Sequence, residues 1–263
     1  GNNTASSGWT RDLDAYLKPY AVQMPNQPGM PDFKARYYAI TAQHLLDHES
    51  GFTRSGDTKG AATMFGETEE SVSYAQIHRH FLRTRPMLGE PGKVSAYSNH
   101  GLGMWTVLVE GFTGIRFADY MEGWYIDPMG LSGKIVPQGP TLDSEDAVGY
   151  SRSNGQMTPI AVEASTTGLA AGGYRASTQS LVKAMEWLTS HYSLSCIDEM
   201  GWESNGNVLS HNGAIGGGNA LVTITRTGFE NNGSRDVGGF RIALATNRDT
   251  NGDDKDGDGK SDG

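Results

Sequence analysis

Apolar positions recur at helical spacing through the first two thirds of the chain and alternate with polar ones in the last third. Leu13, Tyr16 and Leu17 predict a short helix over 9–20, closed by Pro19. Residues 21–38 are rich in Pro and Met and read as a connection. Thr41 then caps a helix with Leu45 and Leu46 inward and Gly51 as its stop. The Gly/Thr/Glu-rich stretch 53–70 reads as a loop, and 71–85 as a helix with Ile77, Phe81 and Leu82 inward. Leu102 to Phe112 forms an apolar helix, and an aromatic-rich helix follows over 116–126, ending at Asp127-Pro128.

Residues 132–163 read as irregular or edge strand, with Ala147 to Ser151 the clearest strand. Gly168 to Tyr174 is a small-residue turn where backbones can pack closely. Ser177 caps a helix to about Tyr192, with Leu181, Ala184, Met185 and Leu188 inward. Strands then begin at Val208 and at Ala220, and again over Phe240 to Asn247, with Glu230 to Ser234 as a hairpin turn. Helices followed by antiparallel strands predict an α+β fold, an α/β sandwich with a sheet flanked by helices and a separate all-helical region.

Composition narrows the classes of function. The chain has 263 residues, 37% hydrophobic, with 36 Gly, which implies many turns. A net charge of -9 and a pI near 5.2 argue against nucleic acid as a partner. No stretch approaches the roughly 18 apolar residues of a transmembrane segment. One cysteine, Cys196, excludes an internal disulfide framework and reads as a core thiol.

The stretch densest in chemistry is Pro91 to Gly101. Tyr97, Ser98 and Asn99 place a phenol, a hydroxyl and a carboxamide at the entrance of the apolar helix. A phenol there can move a proton, and a carboxamide can hold a carbonyl or amide. The plainer alternative is a half-buried aromatic at 97 and an N-cap at Asn99. His44 and His48 share a helix face, as in zinc sites, but Asp47 is shorter than the Glu of the inverted zinc-protease motif and no third ligand is evident. Capping and packing are the expected roles. His78-Arg79-His80 reads as a solvated face.

Taken in order, these segments resemble the class C-type serine β-lactamase and esterase family, which includes D-amino-acid peptidases and penicillin-binding-protein relatives. Ile40 to Gly51 resembles its Ile-Thr-x-x-His-Leu-Leu-x-His-x-Ser-Gly segment, and Tyr97-Ser98-Asn99 its Tyr-x-Asn motif. Asp127-Pro128-Met129-Gly130 resembles its Pro-Leu-Gly-Met segment with the last residues rearranged. Ala171-Gly172-Gly173 with Ser177 resembles its Ala-Gly-Gly-x-x-Ser-Thr helix entry. His211-Asn212-Gly213 resembles the His-x-Gly form of its Lys-Thr-Gly strand, and Leu244 to Arg248 its closing strand. The resemblance implies a β-lactamase/transpeptidase-like domain over 1–248. It implies acyl-enzyme hydrolysis of a small ester, amide or peptide substrate, with no cofactor in catalysis. Tyr97 would be the general base and acid, Asn99 a hydrogen-bonding group, and His211 a group near the leaving group or substrate carboxylate. Gly213 would keep the strand open to substrate, and the Ala214 N–H would be half of the oxyanion hole.

That chemistry needs Ser-x-x-Lys, which puts a hydroxyl and an amine on one helix face. Ser180-Leu181-Val182-Lys183 has the spacing, but its register follows the Ala-Gly-Gly turn, and spacing turns Ser180 from the inward stripe. The family layout places the nucleophile upstream of Gly1. It then lies in a preceding segment or on a second chain, or it has been lost and the scaffold is a non-catalytic binding protein. The His-x-Gly form favours esterase or peptidase work over β-lactam hydrolysis.

The tail, 249–263, carries six Asp and two Lys. Asp254, Asp256, Asp258 and Asp262, with Gly259, follow the Asp-x-Asp-x-Asp-Gly-x-x-Asp pattern of calcium loops, where alternate carboxylates converge on one cation. The alternative is a solvated acidic tail. A calcium loop suits a periplasmic or extracellular location.

Overall fold

The computed structural model describes residues 17, 19–20, 32–53, 55–139, 141–144, 146–153, 156–160, 168–215, 218–225 and 239–246. The expected 230–234 turn and the acidic tail lie outside them. The chain separates into two compact units, one mainly 1–125 with 166–173 and 199–201, the other the remainder.

The first unit is helical. Its helices are α1 (Phe33–Tyr38), α2 (Ala42–Leu46), α3 (Thr58–Phe65), α4 (Tyr74–Thr84), α5 (Asn99–Thr113) and α6 (Phe117–Met121). Leu17, Phe33, Tyr37, Leu45, Phe52, Ile77, Phe81, Met104 and Leu108 form one buried cluster. Several boundaries differ from the sequence reading. Pro19 and Tyr20 are helical, so the proline does not close that helix. The 21–38 connection contains α1, because Phe33 and Tyr37, one turn apart, both bury their rings. The 53–70 loop contains α3, which Asp57 caps by accepting the Gly60 N–H at 2.7 Å and whose Ala61 and Ala62 are buried. Helix α2 stops at Leu46 rather than Gly51, since His48 turns into the left-handed region at φ 58°. The N-cap of α5 is Ser98, not Asn99.

The second unit carries the sheet. Strands β5 (Glu203–Asn205), β6 (Val208–Ile215), β7 (Gly218–Thr225) and β8 (Arg241–Thr246) pair antiparallel in the order β5-β6-β7-β8. Short ribbons join β1 (Ile135–Pro137) to β4 (Tyr174–Ala176) and β2 (Tyr150–Ser153) to β3 (Gln156–Pro159). Helix α7 (Thr178–His191) and the short α8 (Leu194–Asp198) supply Met185 and Ile197, which pack with Leu209 and Ile224. Alternation sets the inward face: Val222, Ile224 and Ala243 meet the helix, while Leu221, Ile242 and Leu244 face the other way and are exposed. Cys196 is half-buried rather than a core thiol. A helical unit and an antiparallel sheet with helices make an α+β fold.

Candidate active site

The Tyr97–Asn99 motif is built by backbone pairing before any chemistry enters. Residues 48–53 run beside 88–98 and accept their amides. Leu88 N–H reaches Gly51 O at 2.7 Å, Gly92 N–H reaches Glu49 O at 2.9 Å and Ala96 N–H reaches His48 O at 2.9 Å. Helix α2 sets the start of that strap. Thr41 Oγ1 accepts the His44 N–H at 3.2 Å, and His44 Nδ1 accepts the Thr41 N–H at 3.2 Å. This reciprocal capping box contributes about 1 kcal/mol. Gly92 is required at its turn: φ is 73°, and a Cβ there would lie 2.9 Å from His44 Nε2.

Ser98 is fully buried. Its hydroxyl donates to Thr53 O at 2.8 Å and accepts the Gly101 N–H at 2.9 Å, fixing the first turn of α5. Its own N–H donates to His48 Nδ1 at 3.1 Å. Ser98 therefore anchors the motif, and the flanking side chains carry the accessible chemistry. Tyr97 is 54% exposed, and its phenol donates to Asn99 Oδ1 at 2.7 Å. That bond orients the phenol oxygen. The His48 ring packs against Tyr97 with centroids 4.5 Å apart.

Beneath this motif lies a feature the sequence reading missed. His78, expected on a solvated face, is fully buried, as is His100. Tyr37 Oη meets His78 Nε2 at 2.7 Å, and His78 Nδ1 meets His100 Nε2 at 2.9 Å. His100 Nδ1 meets Tyr74 Oη at 3.1 Å, and the Tyr74 hydroxyl donates to His100 O at 3.2 Å. A carbonyl only accepts, so the Tyr74 proton is committed there and every proton upstream is determined. His100 donates from Nδ1, His78 donates from Nδ1, and Tyr37 donates its hydroxyl to His78. All four groups are neutral and satisfied. Burial lowers the His78 pKa to about 3 and drives that of His100 well below the usual histidine range, with His78 adding to the effect. Burial raises both tyrosines well above the ordinary phenol value. Phe81 stacks on the His100 ring at 3.7 Å. Gly103 makes room for the network, since a Cβ there would stand 1.9 Å from the Tyr74 hydroxyl. The signal was present in the sequence: Tyr74, Ile77, His78, Phe81 and Leu82 form one helical stripe.

His211, Gly213 and Ala214 lie together on β6 of the second unit, paired with Val222, Ala220 and Asn219 of β7. Strand β5 pairs with β6 only over Val208 to Ser210. Among the described strands, none pairs with the other edge of residues 211–215. His211 is exposed, and its Nδ1 donates to Asn212 O at 2.8 Å, which leaves the Nε2 lone pair to meet a partner. Ser180 is buried, contrary to the expected orientation, because its hydroxyl bonds the capping Ser177 Oγ at 2.9 Å. Lys183 is exposed. Asp254, Asp256, Asp258 and Asp262 lie outside the described residues.

Solved structures share this architecture. A D-stereospecific amidohydrolase from Streptomyces sp. aligns with a TM-score of 0.67 at 19% identity, over 95% of this chain and 78% of its own. The D-amino acid amidase from Ochrobactrum anthropi SV3 aligns at 0.61 and 17%, over 93% of this chain and 71% of its own. The penicillin-binding protein from Bacillus halodurans aligns at 0.59 and 16%, over 89% and 78%. At these identities the likeness is one of fold. The sequence itself carries the family: the Beta-lactamase family model matches residues 9–261. The chain belongs to the Beta-lactamase family.

Proposed function

We propose that this protein is a serine hydrolase that cleaves an ester, amide or D-peptide bond through an acyl-enzyme. Family membership supports hydrolase chemistry of the serine type, and the amidohydrolase and amidase among its structural neighbours support an amide or ester substrate. The observation that carries the residue assignment is the 2.7 Å bond between the exposed Tyr97 phenol and Asn99. It presents an oriented phenol oxygen at the entrance of a helix whose cap is buried and fixed.

In this reading the nucleophile belongs to a Ser-x-x-Lys segment N-terminal to Gly1, in the same protein or on a second chain. Tyr97 acts as the phenolate, its own proton having passed to the neutral lysine amine of Ser-x-x-Lys; the serine Oγ gives its proton to that phenolate oxygen and forms a bond to the acyl carbon. Collapse of the tetrahedral species breaks the bond to the leaving group, which takes the proton back from Tyr97. Water then repeats the sequence on the acyl-enzyme and releases the acid. Asn99 holds the phenol and a substrate carbonyl or amide. His211 receives the leaving group or substrate carboxylate. The Ala214 N–H is one oxyanion donor, and Gly213 keeps the strand edge accessible. Calcium, held by Asp254, Asp256, Asp258 and Asp262, belongs to the same proposal, as does a periplasmic or extracellular location.

The test is hydrolysis of p-nitrophenyl esters by the protein carrying its upstream segment. Tyr97→Phe abolishes turnover while circular dichroism and melting temperature stay unchanged, because the phenol is exposed. Unchanged turnover contradicts the role of Tyr97. No turnover in the unmodified protein, with binding of a D-amino-acid amide retained, supports a binding protein on the same scaffold instead.

A further inference from the structure

We propose that His48 is a positioning residue for Tyr97 and Asn99, a two-point clamp on the backbone of residues 96–98. Its activity arm rests on the serine-hydrolase reading above; its geometry does not. Among the described residues, His48 is the one non-glycine with positive φ, at 58°. Residues with a Cβ enter this region rarely, and such conformations persist where the surroundings impose them.

The left-handed turn lets a single residue grip the same segment twice. The His48 carbonyl accepts the Ala96 N–H at 2.9 Å, and its ring Nδ1 accepts the Ser98 N–H at 3.1 Å. An amide N–H only donates, so Nδ1 is the acceptor and the neutral ring carries its proton on Nε2. Tyr97 is the residue between the two gripped amides, and the same imidazole lies 4.5 Å from its ring, tilted by 47°. Asn99, the next residue after the second grip, opens α5. The Ser98 amide belongs to a fully buried residue, and removing its acceptor orphans it. Ser98 would then hold the motif through its hydroxyl alone.

The backbone and ring requirements can be separated by substitution. Glycine adopts positive φ freely but has no acceptor. Asparagine tolerates the left-handed region and carries a carboxamide oxygen at the position of Nδ1. A residue that merely ends helix α2 would be replaced equally well by either.

The test compares His48→Gly with His48→Asn. Amide hydrogen exchange at Ser98 is read by NMR on the chain, and p-nitrophenyl ester kinetics on the protein carrying its upstream segment. In His48→Gly the Ser98 amide exchanges about tenfold faster or more, and kcat falls about tenfold or more with KM within about twofold, since misplacement of a proton-transfer group acts on the chemical step. His48→Asn keeps both quantities within about threefold of the unmodified protein. The clamp is overturned if His48→Gly retains Ser98 protection and kcat, or if His48→Asn loses as much as His48→Gly. If the unmodified protein hydrolyses no ester, the hydrolase reading falls, and the exchange comparison alone decides the clamp.

Discussion

Acid should destabilise the helical unit through His78 and His100. Neither imidazole can take a proton without placing a charge among Tyr37, Phe52, Phe81 and Tyr74 and reversing a chain of bonds in which every proton is already assigned. The folded pKa of each lies below the unfolded value of 6.5, to about 3 for His78. The unfolded state therefore binds more protons in that range, and stability falls as pH falls from 6.5. Each histidine contributes up to about 1.4 kcal/mol per pH unit once the unfolded imidazole is mostly protonated, so between pH 6.5 and 5 the pair removes about 3 kcal/mol. Set against a total of about 5–15 kcal/mol for a typical domain, that is more than half the stability of a marginal one. Carboxylates held low by hydrogen bonds, such as Asp57 beneath the Gly60 N–H, lose their contribution only as pH drops through the usual carboxylate range and below. The window between pH 6 and 5 thus belongs to the histidines. Urea unfolding followed by tryptophan fluorescence at pH 7.5, 6, 5.5 and 5 should show a slope of about 2.7 kcal/mol per pH unit below pH 6. His78→Gln should be less stable at pH 7.5, with the slope reduced to about 1.4. Stability that stays level from pH 7.5 to 5, or a His78 ring resonance titrating near 6.5, refutes the neutral, committed network.

Two further outcomes follow from particular positions. Gly103→Ala places a methyl group 1.9 Å from the Tyr74 hydroxyl and should cost about 1–3 kcal/mol in urea unfolding, with Tyr74→Phe recovering part of the loss. Unchanged stability would mean Tyr74 does not sit over that helix. If the acidic tail takes calcium, millimolar calcium should raise the melting temperature and EDTA should reverse it, because a ligand bound to the native state alone stabilises it. An EDTA-insensitive melting temperature leaves the tail as a solvated acidic segment.

Much of this organisation was legible because it is local. Thr41 capping a helix, Ser73-to-Thr84 amphipathicity and the alternation of Ala220 to Thr225 are written in consecutive residues, and each became an element. The missed helices are short and take their stability from partners distant in sequence. Helix α1 exists because Phe33 and Tyr37 enter a core that also contains Phe52 and Leu108. Helix α3 has one Gly and two Thr among its eight residues and holds through the Asp57 cap and two buried alanines. His78 was misplaced because a polar residue was given to solvent, although its position lay on the apolar stripe. Ser180 failed in the same way, its hydroxyl being satisfied by the helix cap. Of the candidate site, Tyr97-Ser98-Asn99 was legible as a motif, while the bond from Tyr97 to Asn99 was not. The role of His48 was not, since it depends on a left-handed backbone that no spacing rule reports.

The central claim is that an acyl-enzyme forms on a serine outside this chain's own Ser-x-x-Lys. Intact and peptide mass spectrometry of the protein carrying its upstream segment, quenched during turnover of a slow acyl substrate, tests it directly. The account predicts one acyl adduct on an upstream Ser-x-x-Lys serine, absent when that serine is replaced by alanine, and no adduct on Ser180. An adduct on Ser180, or ester turnover that survives loss of the upstream serine, contradicts it.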